Sequence, residues 1–280
     1  MTKLYNKFFM RGASSIEHAE YLKNYRLRLL SIFILQAFIL LMIFGLWEWA
    51  AENKYIDSFI TSQPSAVWNQ IVKMIKTGTL WLHIGITVGE TVFSFILGTI
   101  LGILMAIMIW WSKYLAKLLD PFIIVFNSMP KIALGPIFIV WLGNGLPAII
   151  IMALAISVIT TFIVMFSGFV EVNPNHIKLV RTFGATKWQV FTKVVFPESV
   201  PAIIAALKVN IGLTLVGVIV GEFLVSQAGL GYLIIYGSQV FNFDQVMTSV
   251  IILCIVATIL YYSVAFIENL YLKTRGGNNK

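Results

Sequence analysis

The sequence predicts an all-α membrane protein with six transmembrane helices, on two observations: its composition and the length of its apolar runs. Of 280 residues, 59% are hydrophobic and 11% charged, whereas a water-soluble globular chain carries about a quarter charged residues. A hydrocarbon core of roughly 30 Å needs about 20 apolar residues per helix. Six such runs occur, at 29–47, 84–111, 118–142, 146–170, 200–223 and 246–267, and the fourth and sixth are free of Asp, Glu, Lys and Arg. An unpaired backbone amide in lipid costs several kcal/mol, which leaves helices and closed barrels as the spanning structures. The runs are continuous rather than alternating, so a β-barrel is excluded.

The first run follows 28 mostly polar residues and lacks a small-residue cleavage site behind it, so it reads as a retained span rather than a signal peptide. Residues 52–82, with Asp57, Pro64 and Trp68, are expected to form a short helix on the outer surface. In the third run, Pro130, Gly135 and Pro136 should kink the helix and free carbonyls that can line a pathway. The one cysteine, Cys254, lies in the last run, which forbids an intrachain disulfide. His18, His83 and His176 are scattered and offer no metal or catalytic set, and His83, next to Trp81, reads as an interfacial residue.

The basic residues set the expected orientation. Lys3, Lys7, Arg11, Lys23, Arg26 and Arg28 precede the first run; Lys113 and Lys117 separate the second from the third; Lys178, Arg181, Lys187 and Lys193 lie between the fourth and fifth; Lys273, Arg275 and Lys280 follow the sixth. The alternate loops hold only Lys54, Lys73 and Lys76. By the positive-inside rule both termini are cytoplasmic, with 1–28 as an N-terminal segment and 271–280 as a tail. This bias accounts for the net charge of +8, so no nucleic-acid partner is expected.

The cytoplasmic segment 171–197 is polar and basic, yet helical in pattern. Asn173 and Pro174 can start a helix, Gly184 should break it, and a second stretch from Thr186 to Val195 places Trp188, Phe191 and Val195 together before ending at Pro197. Two short helices with exposed aromatics suit docking into a partner's groove. The alternative is an amphipathic loop lying on the lipid interface with Trp188 as its anchor.

This segment resembles the cytoplasmic loop of binding-protein-dependent ABC importer permeases. Their pattern runs Glu-Ala-Ala, three residues, Gly, nine residues, Ile, one residue, Leu-Pro. Gly184 and Pro197 match at the right separation, Val194 and Phe196 stand for Ile and Leu, and Lys178, Leu179 and Val180 replace the acidic triplet. The stretches containing Pro130, Lys131, Ala133 and Pro136, and Gly221, Glu222, Phe223 with Gly229, Leu230 and Gly231, are similar to the nitrate, sulfonate, taurine and thiamine-precursor branch. The resemblance implies the type I importer permease architecture, two permease copies (a homodimer), cytoplasmic ATPase subunits and an extracytoplasmic solute-binding protein. It also implies that Arg181, Thr182, Phe183, Gly184, Ala185, Lys187, Trp188 and Pro197 couple to the ATPase. No G-x-x-x-x-G-K-[ST] phosphate loop occurs in the chain, so this chain should hold no cofactor, with ATP and magnesium on the partner.

Charged residues inside the bilayer cost at least about 2.5 kcal/mol on insertion scales and should face an interior or a cavity. Glu90, Lys131 and Glu222 are therefore candidates for the translocation pathway or gate. Lys131 either contacts solute or pairs with an acid such as Glu90; Glu222 is either a pathway group or an interface residue. Lys208 is expected to snorkel toward the inner surface. An ion-gradient-driven secondary transporter is the competing function, although no internal repeat of the kind common in that class is seen.

Overall fold

The computed structural model describes residues 16–276; the expected cytoplasmic residues Lys3, Lys7, Arg11 and Lys280 lie outside them. The chain divides into two units between Trp68 and Asn69. The first contains α1 (Ile16–Glu52), the single turn α2 (Ser58–Thr61) and the beginning of α3 (Pro64–Lys76). Asp57 caps α2, accepting the Phe59 amide at 2.9 Å. Trp47 Nε1 donates to the Ser62 carbonyl at 3.2 Å, and the Ser65 amide donates to Glu48 Oε2 at 2.9 Å. The last of these sets a carboxylate at the positive end of α3.

The second unit holds the rest of α3, then α4 (Thr79–Trp111), α5 (Lys113–Ser128), α6 (Gly135–Leu142), α7 (Leu146–Val170), α8 (Pro174–Thr182), α9 (Lys187–Val190), α10 (Phe196–Val225), α11 (Leu230–Gln239) and α12 (Phe243–Gly276). Its centre is α7, sandwiched between α4 and α10. Lipid tails are as apolar as leucine, so helices in a membrane associate through close packing of small residues. That is the arrangement along α7: Gly98 and Gly102 of α4 sit on Ser157 and Thr161, while Gly217 and Gly221 of α10 sit on Ala153 and Ile149.

Among the described residues, five helices are long and apolar enough to cross a membrane, and six if one bent pair forms a single crossing. The bent pair is the third apolar run: α5 and the Lys131–Leu142 segment meet at 84°. Pro130 has no amide to continue the ladder and disfavours helical backbone at the residue before it. Met129 is accordingly extended, with φ −67° and ψ 136°, and a single 3₁₀ turn, Lys131–Leu134, leads into α6. The kink expected from the prolines is thus a full break.

Two apolar clusters close the ends of the bundle. One joins Ala106, Ile109, Phe162, Met165 and Phe169 to Val190, Phe191 and Val195. The other packs Met74 and Leu80 with Leu215, Leu230, Leu233 and Ile252. The latter is built around α11. Lys208 does not simply snorkel: its ammonium pairs with the Glu268 carboxylate, linking α10 to α12.

Candidate functional site

The loop between α7 and α10 is anchored on one side and bare on the other. Asn173 caps α8 by accepting the Asn175 amide at 2.9 Å. At the other end Gly184 adopts φ +80°, a left-handed conformation that costs non-glycine residues roughly 1–2 kcal/mol. The Ala185 amide then returns to the Val180 carbonyl at 3.2 Å. Thr186 and Gln189 form a reciprocal capping box that starts α9.

Beyond α9 the chain departs from expectation. The second loop helix does not end at Pro197; it passes through a π-helical turn, Phe191–Val195, directly into α10. Pro197 lacks an amide for the preceding turn, and the wider turn just before it accommodates this; Pro201 lies inside α10. Loop and crossing are therefore one continuous rod. Phe191 and Val195 are buried in the bundle, whereas Phe183 is 82% and Trp188 59% exposed. Arg181, Thr182 and Gly184 are also exposed, while Ala185 and Pro197 are half-buried. Lys187 reaches back to the end of α4, its ammonium on the Trp111 carbonyl and 5.2 Å from that residue's ring centroid. His176 is not isolated: its Nδ1 lies 3.1 Å from Glu198 Oε2, bracing α8 against α10.

At the other end of the bundle, Glu222 is 1% exposed, so it is not an interface residue. Thr87 donates its hydroxyl to Glu222 Oε1 at 2.6 Å, and the Gly231 amide donates to Oε2 at 2.5 Å. The Glu90 carboxyl meets the Glu222 carboxyl from α4. Four successive amides at the start of α11 are thus claimed by side chains. Ala228 N–H donates to Ser226 Oγ (3.2 Å), Gly229 N–H to His83 Nδ1 (2.9 Å), Leu230 N–H to Thr87 Oγ1 (2.8 Å) and Gly231 N–H to Glu222. A helix N-terminus has donors with no intrahelical partner, and here two neighbouring helices supply the acceptors.

The sequence reading picked out Glu90 and Glu222 but missed Thr87, His83 and Ser226, and it took His83 for an interfacial residue. A signal was available: His83, Thr87 and Glu90 share one face of α4 by their spacing of four and three, and Glu222 and Ser226 are likewise four apart. Lys131 stands elsewhere. It does not pair with Glu90; its ammonium donates to the Asn127 carbonyl at 3.0 Å across the break in the third run. Beside that break, Asp120, Asn127, Ser128 and Ser167 line a cavity of ≈ 370 Å³ between α5 and α7.

Comparison with known proteins gives consistent matches. Residues 98–275 match the family model described as "Binding-protein-dependent transport system inner membrane component". A probable ABC transporter permease protein of Haemophilus influenzae is 25% identical over 234 residues, covering 84% of this chain and 94% of its own length. The formylaminopyrimidine transport permease protein ThiX of Halalkalibacterium halodurans is 25% identical over 244 residues, covering 84% and 93%. A putative aliphatic sulfonates transport permease protein, SsuC of Bacillus subtilis, is 25% identical over 235 residues, covering 84% and 85%. Among solved structures, the inward-facing MetNI methionine ABC transporter superposes with TM-score 0.59 at 20% identity, over 67% of this chain and 95% of that one. An amino acid ABC transporter with histidines gives TM-score 0.56 at 18% identity, over 72% and 97%. These two likenesses establish a common fold.

Proposed function

This chain belongs to the family of binding-protein-dependent transport system inner membrane components, and from that premise we propose that residues 171–197 are the lever by which an ATPase subunit drives it. The chain is the membrane-spanning permease subunit of an ABC importer of small solutes, and it is not an enzyme: ATP hydrolysis belongs to a separate ATPase subunit. ATP and magnesium are assigned to that subunit. The observation that carries the reading is the continuity of α9, the π turn and α10. A partner that grips Phe183 and Trp188 on the bare side gains leverage on a rod whose other end is packed into α7 and α4. Closure of two ATPase subunits on ATP would then tilt α10, as rigid-body transmission requires.

Gly184 fixes the angle of the grip, with Arg181, Thr182, Ala185, Lys187 and Pro197 supporting it. The lysine and arginine bias of the loops supports a cytoplasmic position for both termini. A second copy of the chain completes the pathway as a homodimer, and an extracytoplasmic binding protein delivers the solute. That solute is small and polar or anionic, of the sulfonate, taurine, nitrate or thiamine-precursor kind. Lys131, at a break lined by polar groups, is the group here that would favour an anion.

The test is Gly184→Val in the assembled transporter. A Cβ at this position meets nothing within 4 Å, so only the backbone conformation is challenged. ATP hydrolysis without solute uptake, in a protein that still inserts, is the expected result. Uptake equal to that of the unaltered protein rejects the lever.

A further inference from the structure

We propose that Glu90 is a positioning acid: it donates a carboxylic proton to Glu222, and this shared proton fastens the start of α11 to α4. Among the described residues, the other hydrogen-bond partners of Glu222 all present donors, namely the Thr87 hydroxyl and the amides of Gly231 and Tyr232. Those neighbours, at the positive end of α11, fit a carboxylate that only accepts. Two carboxylates cannot share such a site without a proton between them, so the proton has to be carried by Glu90. The buried Oε2 of Glu90 has no hydrogen-bond partner among the described residues.

Among the described residues, no cationic side chain pairs with either acid. On α4 the other titratable group facing the site is His83, whose Nδ1 already accepts from Gly229. From α11 comes Tyr232, its ring stacked 6.2 Å from that of His83. α7 carries no charged residue and presents Leu146 and Ile150 beside Glu90. Lys73 of α3 stands across a separate cavity that His83 and Tyr232 line. Among the described residues neither acid forms an ion pair.

Loss of the proton would bring two charges together in a dry site and release the turn at 228–231. Because that turn holds α11, and α11 packs on α4, α10 and α12, its release would loosen one end of the bundle. Glu90 acts through Glu222 and not on the solute, which separates this inference from the coupling-loop reading.

The experiment uses the full chain in lipid nanodiscs without nucleotide, so its outcome does not depend on coupling. Infrared spectra of the unaltered protein at neutral pH should contain a carboxylic-acid C=O band that shifts in deuterium oxide and disappears on alkaline titration. Absence of that band overturns the proposal without any variant. In Glu90→Gln, whose amide still donates but cannot titrate, the band should be lost. Amides 228–231 should then remain protected from hydrogen exchange at alkaline pH, after correction for intrinsic rates, where the unaltered protein loses protection. Glu222→Gln replaces an acceptor oxygen with a donor and should lose that protection at every pH. A band that survives Glu90→Gln, or a protection profile in Glu90→Gln that titrates like the unaltered protein, refutes the shared proton.

Discussion

Of the glycines on α10, Gly217 is the one where an added Cβ would come nearest to the backbone of α7. A Cβ there would lie 2.6 Å from Ala153 Cα and 3.3 Å from Ala153 N. Carbon atoms rest at about 3.5–4.0 Å, so Gly217→Ala must drive the helices roughly 1 Å apart. Main-chain atoms have no alternative rotamer, and overpacking of this kind costs about 1–3 kcal/mol. Gly98 provides the contrast. Its added Cβ would collide with Ser157 Oγ at 2.4 Å, but that hydroxyl has no hydrogen-bond partner to lose. Rotating it away is of the order of an off-rotamer penalty, about 0.5–1.5 kcal/mol.

Reversible unfolding in mixed micelles, with rising detergent denaturant, reads both values. Gly217→Ala should be the more destabilising of the two. Second-site changes sharpen the comparison. Ser157→Ala removes the clashing oxygen and should restore Gly98→Ala. Ala153→Gly leaves Cα and N in place and should not restore Gly217→Ala. Stability of Gly217→Ala within about 0.5 kcal/mol of the unaltered protein, the scale of a neutral surface change, would refute the reasoning. So would rescue by Ala153→Gly.

Three further outcomes follow from the same structure. Phe183→Ala, at an 82% exposed ring, should leave the thermal stability of the isolated permease unchanged while weakening ATPase-subunit binding by at least about 2 kcal/mol, as for an interface anchor, measured by titration in nanodiscs. Gly229→Ala combines a φ of +115° with a Cβ only 2.4 Å from the Glu222 carboxyl; it should cost more than the roughly 1–3 kcal/mol of backbone strain alone and expose amides 228–231 to hydrogen exchange. Lys208→Glu should destabilise the protein by setting two carboxylates together between α10 and α12, and adding Glu268→Lys should recover stability. The loss should stay below the about 3–5 kcal/mol of a fully buried pair, because the two side chains remain 27% and 18% exposed.

The membrane class and helical architecture were legible because lipid leaves few solutions: a charge-free run of twenty residues has to be a helix, and Pro130 has to interrupt one. The cap at Asn173 and the turn at Gly184 were legible for the same local reason, since a single backbone requirement selects the residue. What escaped were features set by partners distant in sequence. Pro197 read as a helix end because proline stops a regular α-helix, yet the buried anchors Phe191 and Val195 hold the chain helical through a π turn that satisfies it. Glu222 read equally as pathway or interface, because nothing within its own run shows that Thr87 and Glu90, more than 130 residues earlier, would approach it.

The same physics accounts for why the two candidate regions differ so much in kind. At the loop end, the surface left bare is aromatic, and an aromatic knob needs a groove on another chain to bury it. At the α11 end, the amides at 228–231 are already taken up by side chains of this chain. A segment held by four side-chain bonds and one shared proton is stable while its partners stay in register and is released together when α4 and α10 move apart. Tilting α10 from the loop end would move Glu222 relative to Thr87 and His83 at the far end of that rod. The geometry therefore links the two regions through one helix, which rests against α7 at Gly217 and Gly221 between them.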